Sequence, residues 1–157
     1  MKTSNIGVSL IKHFESLHDG DLKEIGLQPK KDSIGIWTEG YGRAMRDEHG
    51  NFLKGAKMPK PTIISESMAL LALANDLRVY ETIVERKLKR PLKQNEFDAL
   101  VCFTYNTGGS KTLFEMVNSN NPLLKDWWVS HYITGGGKKL KGLIERRKAE
   151  AKLYFHE

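Results

Sequence analysis

Two carboxylates and a hydroxyl form the most specific chemical pattern in the sequence: Glu15, Asp32 and Thr38. Glu15 follows the apolar Phe14 near the end of a helical repeat, a setting that suits a carboxyl acting as proton donor. Asp32 precedes the turn-like Ser33-Ile34-Gly35 and lies six residues before Thr38. A hairpin over that stretch brings carboxylate and hydroxyl to one side, where the pair can hold and activate a water. Taken alone, the same residues also fit commoner uses, a solvated helix position for Glu15 and a turn former for Asp32.

Other chemistries find less support. The five histidines, His13, His18, His49, His131 and His156, form no H-E-x-x-H pattern and have no cysteine pair beside them, so no metal site is expected. No phosphate-binding Walker loop occurs, and Gly40-Tyr41-Gly42 is too short for a dinucleotide fingerprint. The single cysteine, Cys102, sits between Val101 and Phe103, which predicts a buried thiol rather than a nucleophile. It cannot form an internal disulfide, so nothing in the fold calls for an oxidising compartment.

These candidates need elements to position them. Ile6, Leu10, Phe14 and Leu17 recur at helical steps and predict an amphipathic first helix, with Ser4 or Asn5 as cap and Glu15 near its carboxyl end. Glycines at 20, 26, 35, 40, 42, 50 and 55 break up short extended segments such as Ile34-Gly35-Ile36-Trp37-Thr38, and Glu48-His49-Gly50-Asn51 reads as a turn. A small β-rich lobe is therefore expected. Met68, Leu71, Leu77, Tyr80 and Val84 predict a long helix over 65–88, capped by Ser65. A second helix begins near Gln94, buries Phe97, Leu100, Val101 and Thr104, and stops at Gly108-Gly109. Pro122 opens a helix over 123–133, Gly135-Gly136-Gly137 breaks it, and a basic helix over 143–155 follows.

Length and charge bound the rest. A chain of 157 residues with 39% hydrophobic and 28% charged residues suits one domain with a real core. The net charge of +6 favours an anionic partner without choosing among nucleic acid, membrane and wall polymer. The opening MKTSNIGVSL lacks the apolar stretch of a secretory signal, and no run approaches a membrane span, so a cytoplasmic start and no stable membrane insertion are expected.

One resemblance ties these readings together. Leu10-Ile11-Lys12-His13-Phe14-Glu15, then Asp32-x5-Thr38-Glu39-Gly40-Tyr41-Gly42-Arg43, is similar to the active-site signature of the phage-type lysozymes, the muramidase endolysins of glycoside hydrolase family 24. The segment from Pro91 to Leu100 with Phe103-Thr104-Tyr105-Asn106-Thr107-Gly108 resembles that family's central helix, and Gly142-Leu143-Ile144-Glu145-Arg146-Arg147-Lys148-Ala149-Glu150 its carboxyl-terminal helix. The resemblance runs in order from about Leu10 to Phe155. It implies a lysozyme-like, mainly helical α+β fold: a small β-containing lobe over about 15–64, a linking helix over about 65–88, and a helical lobe over about 89–157 that includes the first helix, with the cleft between the lobes. The implied reaction is hydrolysis of the β-1,4 bond between N-acetylmuramic acid and N-acetylglucosamine in bacterial peptidoglycan, for lysis of a host cell. Glu15 would then be the general acid, Asp32 the carboxylate that assists water attack or stabilises the oxocarbenium-like transition state, and Thr38 the residue that positions the water.

The chain departs from that family at three points. Sixteen residues separate Glu15 from Asp32, more than is common in the family, so 18–31 contains an insertion. Arg43 stands where histidine often follows Gly-Tyr-Gly, and Glu39 replaces a usually apolar residue, adding a carboxylate near the site.

Further assignments complete the expectation. Tyr41 and Asn106 are candidates for lining the saccharide cleft, with core packing and helix capping as equal alternatives. One of Arg146 and Arg147 is expected to pair with Glu15 and the other to be solvated. Trp127 and Trp128, about 100° apart on a helix, are expected at rim and core. Over the last twenty residues seven Lys+Arg against three acids give a local +4, read as a solvated face or as an attraction to the anionic wall. No cofactor is implied, no nucleic-acid motif occurs, and a monomer is expected. A holin is the expected partner for release. Two other functions remain open: a lytic transglycosylase, in which Glu15 alone suffices and 1,6-anhydro ends form, and a non-catalytic basic wall-binding module.

Overall fold

The first helix forms where the apolar spacing places it. In the computed structural model, which describes residues 1–156, α1 spans Asn5–Glu15 and buries Ile11. Ser4 caps it, its Oγ accepting from the Ile6 N–H at 3.2 Å and donating to Asp98. Gly7 is required by closeness: a Cβ there would come within 2.6 Å of the Thr3 side chain and 2.8 Å of Asp98.

Contacts divide the chain into two units, residues 15–76 and residues 1–14 with 77–157. In the first, β1 (Lys30–Lys31), β2 (Trp37–Glu39) and β3 (Arg43–Ala44) form an antiparallel sheet in that order. Lys30 pairs with Thr38 and Lys31 with Trp37; on the other edge Thr38 pairs with Ala44 and Glu39 with Arg43. Every residue of the central strand is buried. Ile36, Trp37, Tyr41, Met45, Ile63 and Leu73 supply the unit's core, and the Trp37 indole donates to the Gly55 carbonyl at 2.7 Å. The turn after β3 is built on Asp47, whose carboxylate accepts from the Asn51 and His49 N–H groups, both at 2.9 Å; these bonds hold its carboxyl below the usual range.

The long helix α2 (Glu66–Lys87) starts from Ser65, whose Oγ accepts from the Met68 N–H at 3.2 Å. In the second unit, α3 (Gln94–Thr107) carries an unbroken buried run from Phe97 to Thr104 and packs along α6 (Lys141–Phe155). Gly108, with φ +83°, ends α3 in the left-handed conformation expected of a glycine there. The structure then adds two features to the expected pattern. Ser110 caps a further helix, α4 (Lys111–Asn118), which buries Leu113, Phe114 and Val117. The glycine triplet is a hairpin rather than a simple break: β4 (Thr134–Gly135) pairs with β5 (Lys138–Lys139), and Gly136 and Gly137 turn with φ +57° and +77°. The helix after Pro122, α5 (Leu124–Ser130), is shorter than 123–133 because Ser130 and His131 turn back on the Asp126 and Trp127 carbonyls before that hairpin. Trp128 is interior and Trp127 stacks on His131 at 4.4 Å, the core and rim places expected of them. Among the described residues, no helix is long and apolar enough to cross a membrane.

Candidate active site

Glu15 is the last residue of α1 and is half-buried. Its carboxylate lies against the Gly-Tyr-Gly turn: a Cβ on Gly42 would sit 2.9 Å from Glu15 Oε2, and Gly42 has φ +86°. Both the close approach and the left-handed backbone require glycine. The chain leaving Glu15 is tied to the same turn through His18. Its N–H donates to the Gly40 carbonyl at 2.8 Å, and its ring Nδ1 lies 3.1 Å from that oxygen and 3.3 Å from the Ser16 carbonyl. A nitrogen facing two carbonyls must be the protonated one, which leaves Nε2 as the acceptor of the neutral ring. A cavity of about 280 Å³ opens here, lined by Glu15, His18, Asp19, Leu22, Lys30 and Lys31 among others.

The hairpin brings Asp32 and Thr38 to one face. Asp32 N–H donates to the Ile36 carbonyl at 2.8 Å, so Asp32 stands opposite Ile36 as Lys30 does opposite Thr38. Strand alternation then puts Lys30, Asp32, Ile36 and Thr38 on the same side. One carboxylate oxygen of Asp32, Oδ1, shapes the turn by accepting from the Ile34 and Ile36 N–H groups at 3.0 and 2.9 Å. Asp32 is exposed, and its second oxygen has no hydrogen-bond partner among the described residues. It is therefore a turn former that keeps half its carboxylate available. Thr38 is only 4% exposed, its hydroxyl donating to the Ile36 carbonyl at 3.1 Å.

The two departures from the family pattern have structural partners. Glu39, 2% exposed, accepts hydrogen bonds from the Thr62 N–H at 3.0 Å, the Thr62 hydroxyl and the Ile63 N–H at 3.3 Å. It pins the segment leading into α2. Arg43, standing where the family often has histidine, forms a two-bond pair with Asp76, at 3.1 and 2.8 Å. Tyr41 is 6% exposed and donates its hydroxyl to Glu66 at 2.9 Å, a placement that matches its core-packing alternative.

In the other unit, the expectation that one of Arg146 and Arg147 is solvated is overturned: they are 3% and 0% exposed. Both meet Glu150, a fully buried acid that nothing in the sequence pattern singles out. Glu150 Oε1 accepts from Arg147 at 2.9 Å and Arg146 at 3.2 Å, and Oε2 from the Trp128 indole at 3.1 Å. The reason is helix phase: Arg146 and Arg147 stand four and three residues before Glu150, so all three lie on the face that packs on α3. Burial pushes the Glu150 carboxyl up against the pull of the two guanidiniums, and it lowers Arg147. The Cys102 thiol, buried as expected, is pushed well up by burial and by Glu150. Asn106 is exposed, and its Oδ1 accepts from Arg147 at 2.7 Å. Arg146 also lies over the ring of Phe14, 5.6 Å from its centroid. With these two arginines interior, the outward charge of the carboxyl-terminal segment comes from Lys138, Lys139, Lys141, Lys148 and Lys152.

Comparison with known proteins identifies the family. The phage lysozyme family model matches residues 21–150. The endolysin of Bacillus phage B103 is 31% identical over 159 residues, covering 99% of this chain and 54% of that protein, and the endolysin of Bacillus phage PZA is 31% identical, covering 98% and 55%. The chain thus spans about half the length of these relatives. Among solved structures, an endolysin from the Escherichia coli O157:H7 phage FAHEc1 superimposes with a TM-score of 0.73 at 32% identity, covering 98% of this chain and 93% of that one. A helical chain with small antiparallel sheets, carrying Glu15 against a Gly-Tyr-Gly turn and Asp32 and Thr38 on one hairpin face, belongs to the phage lysozyme family.

Proposed function

We propose that this protein is a muramidase that hydrolyses the β-1,4 bond between N-acetylmuramic acid and N-acetylglucosamine in bacterial peptidoglycan. The observation that supports the reading is that one unit of the chain carries both a half-buried Glu15 packed on Gly42 and a hairpin face bearing Asp32 and Thr38. Glu15 gives its proton to the glycosidic oxygen as the bond from muramic C1 breaks, and the electrons of that bond leave with the 4-oxygen of glucosamine. Water held by the free oxygen of Asp32 and positioned by Thr38 adds to C1, and its proton passes to Asp32. Tyr41 holds the turn that carries Gly42 through its hydrogen bond to Glu66. Arg146, fixed by Glu150, packs on Phe14, and Arg147, fixed by the same carboxylate, holds Asn106. The substrate lies outside the inner membrane, so a membrane-permeabilising holin is the fitting partner for release, and lysis of a bacterial host is the fitting role.

The test is digestion of purified peptidoglycan by the wild type and by Glu15→Gln, with mass spectrometry of the released ends. The reading requires reducing muramic ends from the wild type and a loss of roughly 10²-fold or more in the variant. Release of 1,6-anhydro ends would move the enzyme to the transglycosylases and strip Asp32 and Thr38 of their roles.

A further inference from the structure

The insertion between Glu15 and Asp32 ends by placing a cation beside the candidate acids. Lys30 stands directly opposite Thr38, and side chains so opposed on one face have Cβ atoms about 5 Å apart. Asp32, two residues on, shares that face, and Lys30 also lines the cavity that contains Glu15. Lys31 also lines the cavity, but its ammonium is engaged, 5.2 Å from the centroid of the Trp37 ring. Lys30 is exposed, and its ammonium makes no ion pair or hydrogen bond among the described residues. The acids around it are committed elsewhere in part. Asp19 Oδ1 accepts from the Asp21 and Gln28 N–H groups, both at 3.3 Å, and Asp32 Oδ1 holds its own turn. A solvated ammonium held by strand register at the edge of such a cavity is placed to receive an anion from outside the protein.

On a peptidoglycan strand the anions are carboxylates carried by the lactyl arm of muramic acid, either the lactyl carboxylate itself where no peptide is attached or the carboxylates along the peptide. We propose that Lys30 binds a carboxylate on that arm and so selects muramic acid-containing strands over neutral glucosamine polymers. The proposal rests on the glycosidase reading above and adds the group that recognises the charged substituent.

The test measures the wild type, Lys30→Met, Lys30→Arg and, as a control on the insertion outside the cavity lining, Lys23→Met. Three soluble oligomers are used: muramic oligomers with intact peptides, the same oligomers stripped of peptide by an amidase so that the lactyl carboxylate is free, and a chito-oligosaccharide read as a competitive inhibitor. Loss of one exposed charge-assisted hydrogen bond predicts about a tenfold rise in KM for Lys30→Met with kcat nearly unchanged. Inhibition by the neutral oligomer stays as in the wild type, Lys30→Arg restores KM, and Lys23→Met behaves as the wild type. A rise confined to stripped oligomers identifies the lactyl carboxylate, and one confined to peptide-bearing oligomers identifies the peptide. An unchanged KM on both muramic substrates, or an equal loss of affinity for the neutral oligomer, overturns the proposal. If the wild type cleaves none of them, the glycosidase reading fails by itself. Calorimetric titration of the same oligomers against wild type and Lys30→Met then decides the role of Lys30: weaker binding by the variant supports it, and equal affinities overturn it.

Discussion

Glu150→Gln tests the energetics of the interior most sharply. In the wild type this carboxylate is the shared acceptor for two buried guanidiniums, the Trp128 indole and the Cys102 thiol, at 2.9, 3.2, 3.1 and 3.4 Å. Glutamine keeps the shape but removes the charge, and its NH2 group must face one of those donors. Arg146 and Arg147 would then be buried beside an acceptor that no longer balances them. Breaking a buried pair in this way costs about 3–5 kcal/mol. For a chain of this size that is a fall in Tm on the order of 10 °C. Urea and thermal unfolding followed by circular dichroism at neutral pH give both numbers. Arg147 already has Nε and Nη1 buried without a partner, so Arg147→Met relieves part of the strain. The double variant should lose at least about 1 kcal/mol less than the sum of the singles. A loss below about 1 kcal/mol for Glu150→Gln, or strict additivity with Arg147→Met, would refute the claim that the carboxylate neutralises this cluster.

Gly42→Ala places a methyl 2.9 Å from Glu15 Oε2 on a backbone with φ +86°, and should cost about 1–2 kcal/mol in stability and depress hydrolysis; wild-type kinetics would show that the turn does not hold Glu15. Burial raises the Glu96 carboxyl, but the hydrogen bonds from Arg90 at 3.1 and 3.3 Å and from the Lys93 N–H at 2.8 Å outweigh it and leave it below the usual range. Because the folded value is the lower one, this contribution is present above the ordinary glutamate range, about 4.3, and is lost as pH falls through the depressed folded value. Glu96→Gln should therefore flatten the acid limb of Tm against pH, and an unchanged limb would contradict the assignment. Lys148→Gln with Lys152→Gln should lower wall-digestion rates at low salt and converge with the wild type at high salt, as screening removes an exposed-charge effect.

The pattern of what was legible in the sequence has a physical basis. The helices α1, α2 and α3 read directly because apolar spacing and caps such as Ser65 are local signals. Helix α4 did not, since eight residues give little more than two turns between a glycine pair and an asparagine-rich turn; Ser110 before Leu113, Phe114 and Val117 was its only mark. The glycines at 135–137 read as a break because a hairpin of two-residue strands has no alternation to show. Around the site, the spacing of Asp32 and Thr38 predicted a shared hairpin face, and the register supplies one. The use of Glu39 as a buried acceptor was hidden because its partners, Thr62 and Ile63, lie more than twenty residues away. The burial of both Arg146 and Arg147, where one is expected to be solvated, was hidden for the same reason: the Cys102 carbonyl and Asn106 that receive them come from α3.

The most direct measurement is the origin of the new oxygen on the product. Peptidoglycan is digested in water enriched in oxygen-18, the ends are reduced at once with borohydride, and the fragments are weighed. Hydrolysis by Glu15, Asp32 and Thr38 predicts one heavy oxygen on each new muramic end and its loss in Glu15→Gln. Unlabelled 1,6-anhydro ends from the wild type, or labelled ends that persist in Glu15→Gln at the wild-type rate, would contradict it.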